Sequence, residues 1–342
     1  MSQYLLRRLL QGIPTFFGVT IISFLMMLYA PGDPIALITF TPNRSAEAAA
    51  VMRRQLGLDQ PPLMQYVYWL VGNDWLKIDT NGDGTGDSYG VRQGLLRGDL
   101  GQSIRSRTSV LTLIVERIPA TLLLTLSALV VGYGLGILLG VLGAVFYKSW
   151  VDQLVRIVSV IGNAVPAFWL GLLLIIIFSV KTDLLPMSGM RDIASRSDTL
   201  DVVETVRHMI MPVFVLSLGT IAFVSRFTRT ELLEVLAQDY IRTAQAKGLG
   251  NSVIWMRHAT RNALLPVATF LGPGLGTLLS GAVIVEQVFS WPGMGRLIIT
   301  AVFNRDYPVV MGSVVITAAM FILGVLLSDI LYALLDPRIR LR

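Results

Sequence analysis

The chain alternates long runs of apolar residues with polar segments. The first run extends from Leu9 to Ala30 without a charged residue and directly follows Arg7 and Arg8. A run of this length can cross about 30 Å of hydrocarbon as a helix. A cleaved signal peptide is the alternative, but its apolar region spans roughly 7–15 residues, and Pro31 would directly follow the cut. The pattern therefore favours an uncleaved transmembrane helix.

Five further apolar runs carry few or no charged residues, and each is long enough, or nearly so, to span a bilayer as a helix. They are separated by connections of unequal length. This pattern predicts an all-α integral membrane protein with six transmembrane helices. The five runs lie at 119–147, 157–180, 209–225, 265–285 and 309–335.

The charges are divided unequally between the two sides of this topology. The amino terminus, the second and fourth connections and the tail carry 13 basic and 6 acidic residues, which leaves 15 basic and 16 acidic residues on the other side. Because cytoplasmic loops are enriched in Lys and Arg, both termini are predicted to be cytoplasmic. The predicted parts are residues 1–30 with the first helix, the extracytoplasmic loop domain 31–118, the transmembrane core 119–335 of five further helices, and the cytoplasmic tail 336–342.

The composition narrows the chemistry that the chain can perform. Of its 342 residues 54% are hydrophobic and 15% charged, the net charge is +6, and cysteine is absent. This excludes a disulfide framework, Cys-ligated zinc and iron–sulfur clusters. The basic residues are too dispersed for a nucleic-acid surface, so membrane lipid is the expected contact. No Walker A sequence occurs, so the chain itself is not predicted to be an ATPase. The second to fifth runs contain no charged residues, which disfavours an ion-coupled secondary carrier. Such a carrier stays the alternative interpretation of the function.

Small residues recur every four positions in the second run, at Gly132, Gly136, Gly140 and Ala144. This spacing places them on one helix face and allows another helix to approach closely. The face is explained either by a contact inside the chain or by a surface turned toward another subunit or a transport path.

Proline and glycine interrupt two of the predicted helices. A break in a membrane helix is tolerated where it faces protein or a water-filled cavity. The two helices therefore either line and gate a path or are kinked for structural reasons. The candidate path residues are Pro166, Gly272, Pro273, Gly274 and Gly276.

The fourth connection, residues 226–265, carries the most specific pattern. Thr230 is predicted to cap a helix that ends at Lys247 and Gly248, and Asn251 or Ser252 to cap a second short helix. Two helices are more than a connection between spans requires, so this coupling loop is predicted to dock a partner. The apolar positions of its first helix are Leu233, Leu236, Ala237, Tyr240 and Ala244.

Residues 239–248 read DYIRTAQAKG, and Leu265 and Pro266 follow downstream. This segment resembles the EAA loop of ATP-binding-cassette importer permeases, in the dipeptide/oligopeptide/nickel branch. The family pattern E-A-A-x-x-x-G has its glycine at Gly248, and the E-A-A positions hold R-T-A, a departure similar to the form in the peptide branch. Further matches are PGDP at 31–34, GDLGQS at 98–103, FSWPGMG at 289–295 and DPRIR at 336–340, so the resemblance covers nearly the whole chain.

The resemblance implies a transmembrane permease subunit of an ATP-driven, binding-protein-dependent importer in a bacterial or archaeal inner membrane. Its implied partners are a homologous second permease, two cytoplasmic ATPase subunits that bind ATP and magnesium, and an extracytoplasmic solute-binding protein. The loop would be a coupling helix in a groove of an ATPase subunit, so we expect Ala244→Asp or Gly248→Asp to leave folding intact and to uncouple transport. The implied coupling residues are Asp239, Tyr240, Arg242, Thr243, Ala244, Ala246, Lys247, Gly248 and Leu249.

The long first loop contains oxygen-bearing side chains at alternating positions with a glycine at the sixth, as in the first half of an EF-hand calcium loop. The closing position falls on Gly90 instead of a glutamate. An ordinary turn explains the same residues. The candidate calcium ligands are Asp79, Asn81, Asp83, Thr85 and Asp87.

Glu286 and Arg296 flank the outer end of the predicted fifth span. Two interpretations are open. The pair could face the substrate or the solute-binding protein, or the two side chains could form a salt bridge within the loop.

Overall fold

The computed structural model describes residues 2–29, 46–79, 85–191, 201–271 and 282–335. Nearly all of the regular structure in these ranges is helical. The helices are α1 Ser2–Leu28, α2 Ala46–Gln55, α3 Pro62–Val71, α4 Val110–Val145, α5 Trp150–Ala164, α6 Ala167–Leu174, α7 Val202–Leu236, α8 Asp239–Ala246, α9 Asn251–Val253, α10 Thr260–Thr269, α11 Val283–Val288, α12 Met294–Phe303 and α13 Tyr307–Leu335.

Four shorter features of the described residues accompany these helices. Two π-helical segments, Ile175–Lys181 and Ile254–Ala259, follow α6 and α9. A 3₁₀ turn covers Leu95–Arg97. Strands β1, Lys77–Ile78, and β2, Ser88–Tyr89, pair antiparallel as a small hairpin.

Within the described residues, four helices are long and apolar enough to cross a membrane: α1 from Leu10, α4, α7, and α13 up to Leu327. The helix α5 and the helix that begins with α6 meet at a bend of 103°, and together they are long and apolar enough to be either a broken fifth span or a re-entrant loop. The chain is therefore a mostly helical, multi-pass membrane protein. The sixth predicted helix, 265–285, includes residues 272–281, which lie outside the described ranges, so the count of six stays a prediction.

The chain divides into two compact units. The core unit comprises Met1–Arg8, Pro119–Arg296 and Met320–Arg342, and the loop unit comprises Leu9–Ile118 and Leu297–Ala319. Each unit has its own packing, and the predicted domain boundaries remain predictions.

In the core unit, the glycine face of α4 lies directly against α7. A Cβ atom added at Gly136 would lie 2.7 Å from Val224 Cβ, closer than two carbon atoms can approach. Equivalent atoms at Gly132 and Gly140 would lie 2.8 and 2.6 Å from the Cβ atoms of Thr220 and Thr228. The small residues therefore serve a helix contact inside the chain, which confirms the first of the two interpretations.

In the loop unit, the end of α1 packs on the aromatic face of α3. The ring of Phe24 lies 5.4 Å from that of Tyr66 and 6.5 Å from that of Trp69, measured between centroids. The hydroxyl oxygens of Thr20 and Tyr66 are 2.9 Å apart. Farther along the chain, the Asp306 carboxylate accepts hydrogen bonds from Ser103 Oγ at 2.5 Å and from the Ile104 amide at 3.1 Å, which ties the start of α13 to the segment before α4.

Candidate functional site: the coupling loop

The helix α8 is attached to the core unit by its inner face. Ile241 is 1% exposed and Ala244 8% exposed, and these two residues are three positions apart, on one side of the helix. Both belong to a buried apolar cluster that joins four helices and the π-helical segment. The other buried members of this cluster are Ala144, Leu232, Val235, Ile254, Ala259 and Ala263.

The end of α8 has the hydrogen bonds of a Schellman motif. The Gly248 amide donates to the Gln245 carbonyl at 2.9 Å, and the Leu249 amide donates to the Ala244 carbonyl at 3.3 Å. Gly248 has φ +78°, a left-handed conformation that glycine adopts at little cost. The predicted end of the helix at Lys247 and Gly248 is therefore confirmed. The turn at Gly248 connects α8 to α9.

The start of α8 differs from the sequence prediction. Thr230 caps no helix, because α7 continues through it to Leu236 and its hydroxyl donates to the Arg226 carbonyl one turn back at 3.0 Å. The helix α7 ends at Leu236, with Ala237 as its cap residue, and Gln238 precedes α8 with an extended backbone. This break shifts the helical phase, so Ile241 is buried where the pattern had indicated Tyr240.

The second helix of the loop also begins differently. Gly250 occupies the cap position, and no side chain caps it, so neither Asn251 nor Ser252 performs the predicted role. The helical course then runs through α9, the π-helical segment and α10 to Thr269, and it contains Pro266 instead of ending before it. Asn262 of α10 donates a hydrogen bond to the Tyr240 hydroxyl at 2.9 Å and so braces the outer face of α8.

The outward face of α8 and its turn carries eight of the nine predicted coupling residues. Only Ala244 points inward. An aspartate at position 244 would place a carboxylate inside the apolar cluster, so the expectation that Ala244→Asp leaves folding intact does not hold. Gly248→Asp would strain a left-handed position. The exposed residues are Asp239, Tyr240, Arg242, Thr243, Ala246, Lys247, Gly248 and Leu249.

The candidate path residues are only partly described. Pro166 lies at the 103° bend, where it occupies the cap position before α6 with φ −62°. Because proline has no amide hydrogen and disfavours a helical residue before it, the helix ends at Ala164. Gly272, Pro273, Gly274 and Gly276 lie outside the described residues, so their role stays a prediction.

The candidate calcium segment lies within the β1–β2 hairpin. Ile78 pairs with Ser88, and the Asp87 amide donates to the Ile78 carbonyl at 3.2 Å, so residues 79–87 form the connection between the strands. Asp79, Thr85 and Asp87 are described, whereas Asn81 and Asp83 are not. Within the described ranges no three acidic or histidine side chains are placed to hold a metal ion. Calcium binding by the whole loop stays a prediction.

Glu286 is buried and faces neither solvent nor the Arg296 guanidinium. Its carboxylate accepts hydrogen bonds from Thr121 Oγ1 at 2.8 Å and from the Arg296 amide at 3.1 Å. The Arg296 side chain donates instead to the Ser290 carbonyl at 2.7 Å. The predicted salt bridge is therefore wrong, and Glu286 does not face a substrate or a binding protein, because α4 and the first turn of α12 enclose its carboxylate. Arg296 is half-buried, so its role toward a substrate or a binding protein stays a prediction.

Trp291 closes the same buried region. Its indole nitrogen donates to the Ala120 carbonyl at 2.8 Å, and the side chain is fully buried. Gly293 has no space for a side chain, because an added Cβ would lie 2.4 Å from the Glu286 carboxyl group. The sequence motif at 289–295 is thus a folding element in this chain.

Family models and known proteins match nearly the whole length of the chain. The model of the family described as binding-protein-dependent transport system inner membrane component matches residues 132–341, and that of its N-terminal component matches residues 1–125. The chain is 39% identical over 340 residues to the oligopeptide transport system permease protein of Bacillus subtilis (strain 168), with 99% of each chain covered. It is 39% identical over 358 residues to the dipeptide transport system permease protein of Escherichia coli (strain K12), again with 99% of each covered.

A third relative has a different named solute. The chain is 36% identical over 340 residues to the glutathione transport system permease protein of Escherichia coli (strain K12), with 99% of each chain covered. All three relatives are permease proteins of transport systems. With the helical membrane architecture and the two family models, these matches show that the chain belongs to the family of binding-protein-dependent transport system inner membrane components.

Proposed function

We propose that the chain is a permease subunit of an ATP-driven, binding-protein-dependent importer, and that it forms half of a translocation path for dipeptides, oligopeptides or a similar solute. The observation that carries this proposal is the coupling loop, in which a short helix is fixed to the core unit by Ile241 and Ala244 and exposes the rest of its surface. A helix held in this way moves as a rigid body with the helices behind it.

The exposed face of α8 suits a docking role. It combines two partly exposed apolar side chains, Tyr240 and Leu249, with the charged side chains of Arg242 and Lys247. Asp239 pairs with Arg242 at 3.3 Å, but both side chains are solvent-exposed, so the pair contributes little to the fold. We infer that these side chains contact an ATPase subunit, which would bind ATP and magnesium.

The charge distribution supports a cytoplasmic location for this loop and for both termini. The predicted extracytoplasmic loop domain, residues 31–118, would receive a solute-binding protein. A homologous second permease would complete the path, and two ATPase subunits would each engage one coupling loop. The bend at Pro166 supports a place for that helix beside the path, since a broken membrane helix needs protein or water at the break.

The proposed solute class follows from the names of the relatives, which are oligopeptide, dipeptide and glutathione permease proteins at similar identity. All three named solutes contain peptide bonds. An ion-coupled secondary transporter is the competing function, and the family membership favours the importer.

Coupling is tested by Ala246→Glu in the complete transporter reconstituted in proteoliposomes. Ala246 is exposed on α8, so the new side chain obstructs docking without entering the core. We expect peptide uptake to fall by about tenfold or more, because a loss of about 1.4 kcal/mol in the binding of α8 to the ATPase subunit weakens that binding tenfold. The melting temperature of the chain should not change. The matched control is Gln153→Glu, an exposed position on α5 outside the loop, which should transport normally.

Normal uptake by Ala246→Glu, or an equal loss in both variants, would contradict the role of the coupling loop. Uptake by this chain alone, driven by a proton or sodium gradient without ATP, would contradict the importer function as a whole.

A further inference from the structure

A cleft in the core unit, between α5 and α7, is lined by guanidinium groups. Its volume is about 820 Å³. Among the described residues that line it, three are arginines and none is acidic. The cleft, called here the arginine cleft, is lined by Arg156, Arg226 and Arg229 together with Tyr147, Asn163, Leu233 and small or apolar residues of α5.

Two of the three arginines are held in place by one buried carboxylate. Asp152 is fully buried and accepts hydrogen bonds from Arg229 Nε at 2.6 Å and Nη2 at 2.9 Å. It also accepts from Arg156 Nη2 at 2.7 Å and from the Lys148 amide at 3.1 Å. The two guanidinium groups are therefore oriented before any ligand arrives.

These bonds leave donors available for a ligand. A guanidinium group carries five N–H bonds in a fixed plane. Arg156 and Arg229 each use only their Nε and Nη2 atoms to donate hydrogen bonds to Asp152. The Arg229 side chain is 16% exposed and lies deep, whereas that of Arg156 is 51% exposed and lies at the rim. The Nη1 atoms of Arg156 and Arg229 are therefore oriented hydrogen-bond donors in a cleft that is partly shielded from water.

Arg226 adds a third positive charge from the same face of α7. It precedes Arg229 by three residues, which places the two side chains on neighbouring positions of the helix surface. Three arginines against one aspartate leave a net charge of about +2 around the arginine cleft. Arginine forks match the tetrahedral oxygens of phosphate better than lysine does, so the cleft favours a phosphate group.

The surroundings of the cleft point to a phosphate that carries an apolar chain. Tyr147 and Val160, which both line the cleft, are large apolar side chains that are exposed. A free phosphate ion gains no binding energy from an apolar surface, whereas the acyl chain of a lipid packs against it. The charge distribution places all three arginines on the cytoplasmic side, where basic pockets between membrane helices bind anionic lipids.

We propose that the arginine cleft is a binding site for the phosphate headgroup of an anionic phospholipid of the cytoplasmic leaflet. The lipid would bridge α5, which carries the bend at Pro166, to α7, which continues into the coupling loop. It would therefore hold together two elements that must move as one during transport. The proposal concerns lipid binding, and its test does not depend on transport.

The test is native mass spectrometry of the full-length chain released from bilayers that contain phosphatidylglycerol and phosphatidylcholine with identical acyl chains. We expect retained phosphatidylglycerol on the unmodified chain. Arg226→Gln should reduce it by about tenfold, the usual effect of losing one charge-assisted hydrogen bond. This variant leaves Asp152 with both of its arginines, so the helix contact is preserved and the melting temperature should not change.

The matched control is Arg7→Gln, an exposed arginine at the amino terminus outside the cleft, which should retain the lipid. Equal retention by the Arg226→Gln chain would overturn the proposal, and so would an equal loss in Arg7→Gln, because the binding would then reflect general charge. A further arm adds inorganic phosphate at millimolar concentration. Displacement of the lipid by phosphate would identify a soluble phosphate as the ligand and reject the lipid.

Discussion

Alanine substitutions at two glycines of α4 test the contact between α4 and α7. Gly136 lies on the buried face, and an added Cβ would be 2.7 Å from Val224 Cβ, 2.9 Å from its Cγ1 and 3.4 Å from Ile221 Cα. Gly134 is on the exposed face of the same helix, where nothing lies within 4 Å of an added Cβ. The two substitutions thus differ only in what the new methyl group meets.

The magnitude follows from the geometry. Carbon atoms in contact are about 3.5–4.0 Å apart, so α7 must shift by nearly 1 Å to admit the methyl group at Gly136. Overpacking of this kind costs about 1–3 kcal/mol. The gain in helix propensity from glycine to alanine is the same at both positions and cancels. Gly136→Ala should therefore be less stable than Gly134→Ala by about 1–3 kcal/mol.

The assay is thermal unfolding of the full chain in lipid nanodiscs. We expect Gly134→Ala to melt at or slightly above the temperature of the unmodified chain. Gly136→Ala should melt about 1–4 °C lower, since an unfolding entropy of about 2.1 cal/mol/K per residue makes 1 kcal/mol equivalent to about 1.4 °C in a chain of 342 residues. Equal melting temperatures for the two variants would refute the close packing of α4 on α7.

Three further predictions concern other parts of the chain. Trp291→Phe removes the hydrogen bond to a buried carbonyl of α4 and should cost about 1–3 kcal/mol of stability, measured by the same assay. Hydrogen bonds from Arg97 lower the pKa of Asp74, so their stabilisation is present above the ordinary carboxyl pKa and is lost as pH falls through the lowered pKa; pepsin should cleave the loop unit of Asp74→Asn faster than that of the unmodified chain at pH 4, and this difference should shrink as the pH is lowered. In calorimetric titration with calcium, Asp79→Ala should lose the binding heat and the exposed Asp59→Ala should keep it, and identical heats for all chains would reject the site.

Much of the architecture could be predicted from contiguous stretches of sequence. The apolar runs predict α1, α4, α7 and α13, since a bilayer requires about 20 apolar residues in a helix. The break at Pro166 and the end of α8 at Gly248 follow from the backbone limits of proline and the freedom of glycine. These properties depend on local chemistry, so no knowledge of distant contacts is needed.

The face of α8 that is buried could not be predicted in the same way. A helical pattern assumes one continuous helix, and the break at Ala237 changed the phase so that Ile241, and not Tyr240, enters the apolar cluster. Ala237 has no residue chemistry that marks a break. The packing of α8 against Leu232 and Ile254 determines the direction in which it leaves α7.

The sequence by itself determined that this chain crosses a membrane several times and carries the coupling-loop motif of its family. Only the tertiary structure decided which charged side chains meet. Asp152 binds Arg229, 77 positions away, and the Glu286 carboxylate accepts from Thr121, 165 positions away. The physical reason is that hydrophobic periodicity is a local property of the chain, whereas a buried charge selects its partner from whatever donors the folded helices bring within hydrogen-bond distance.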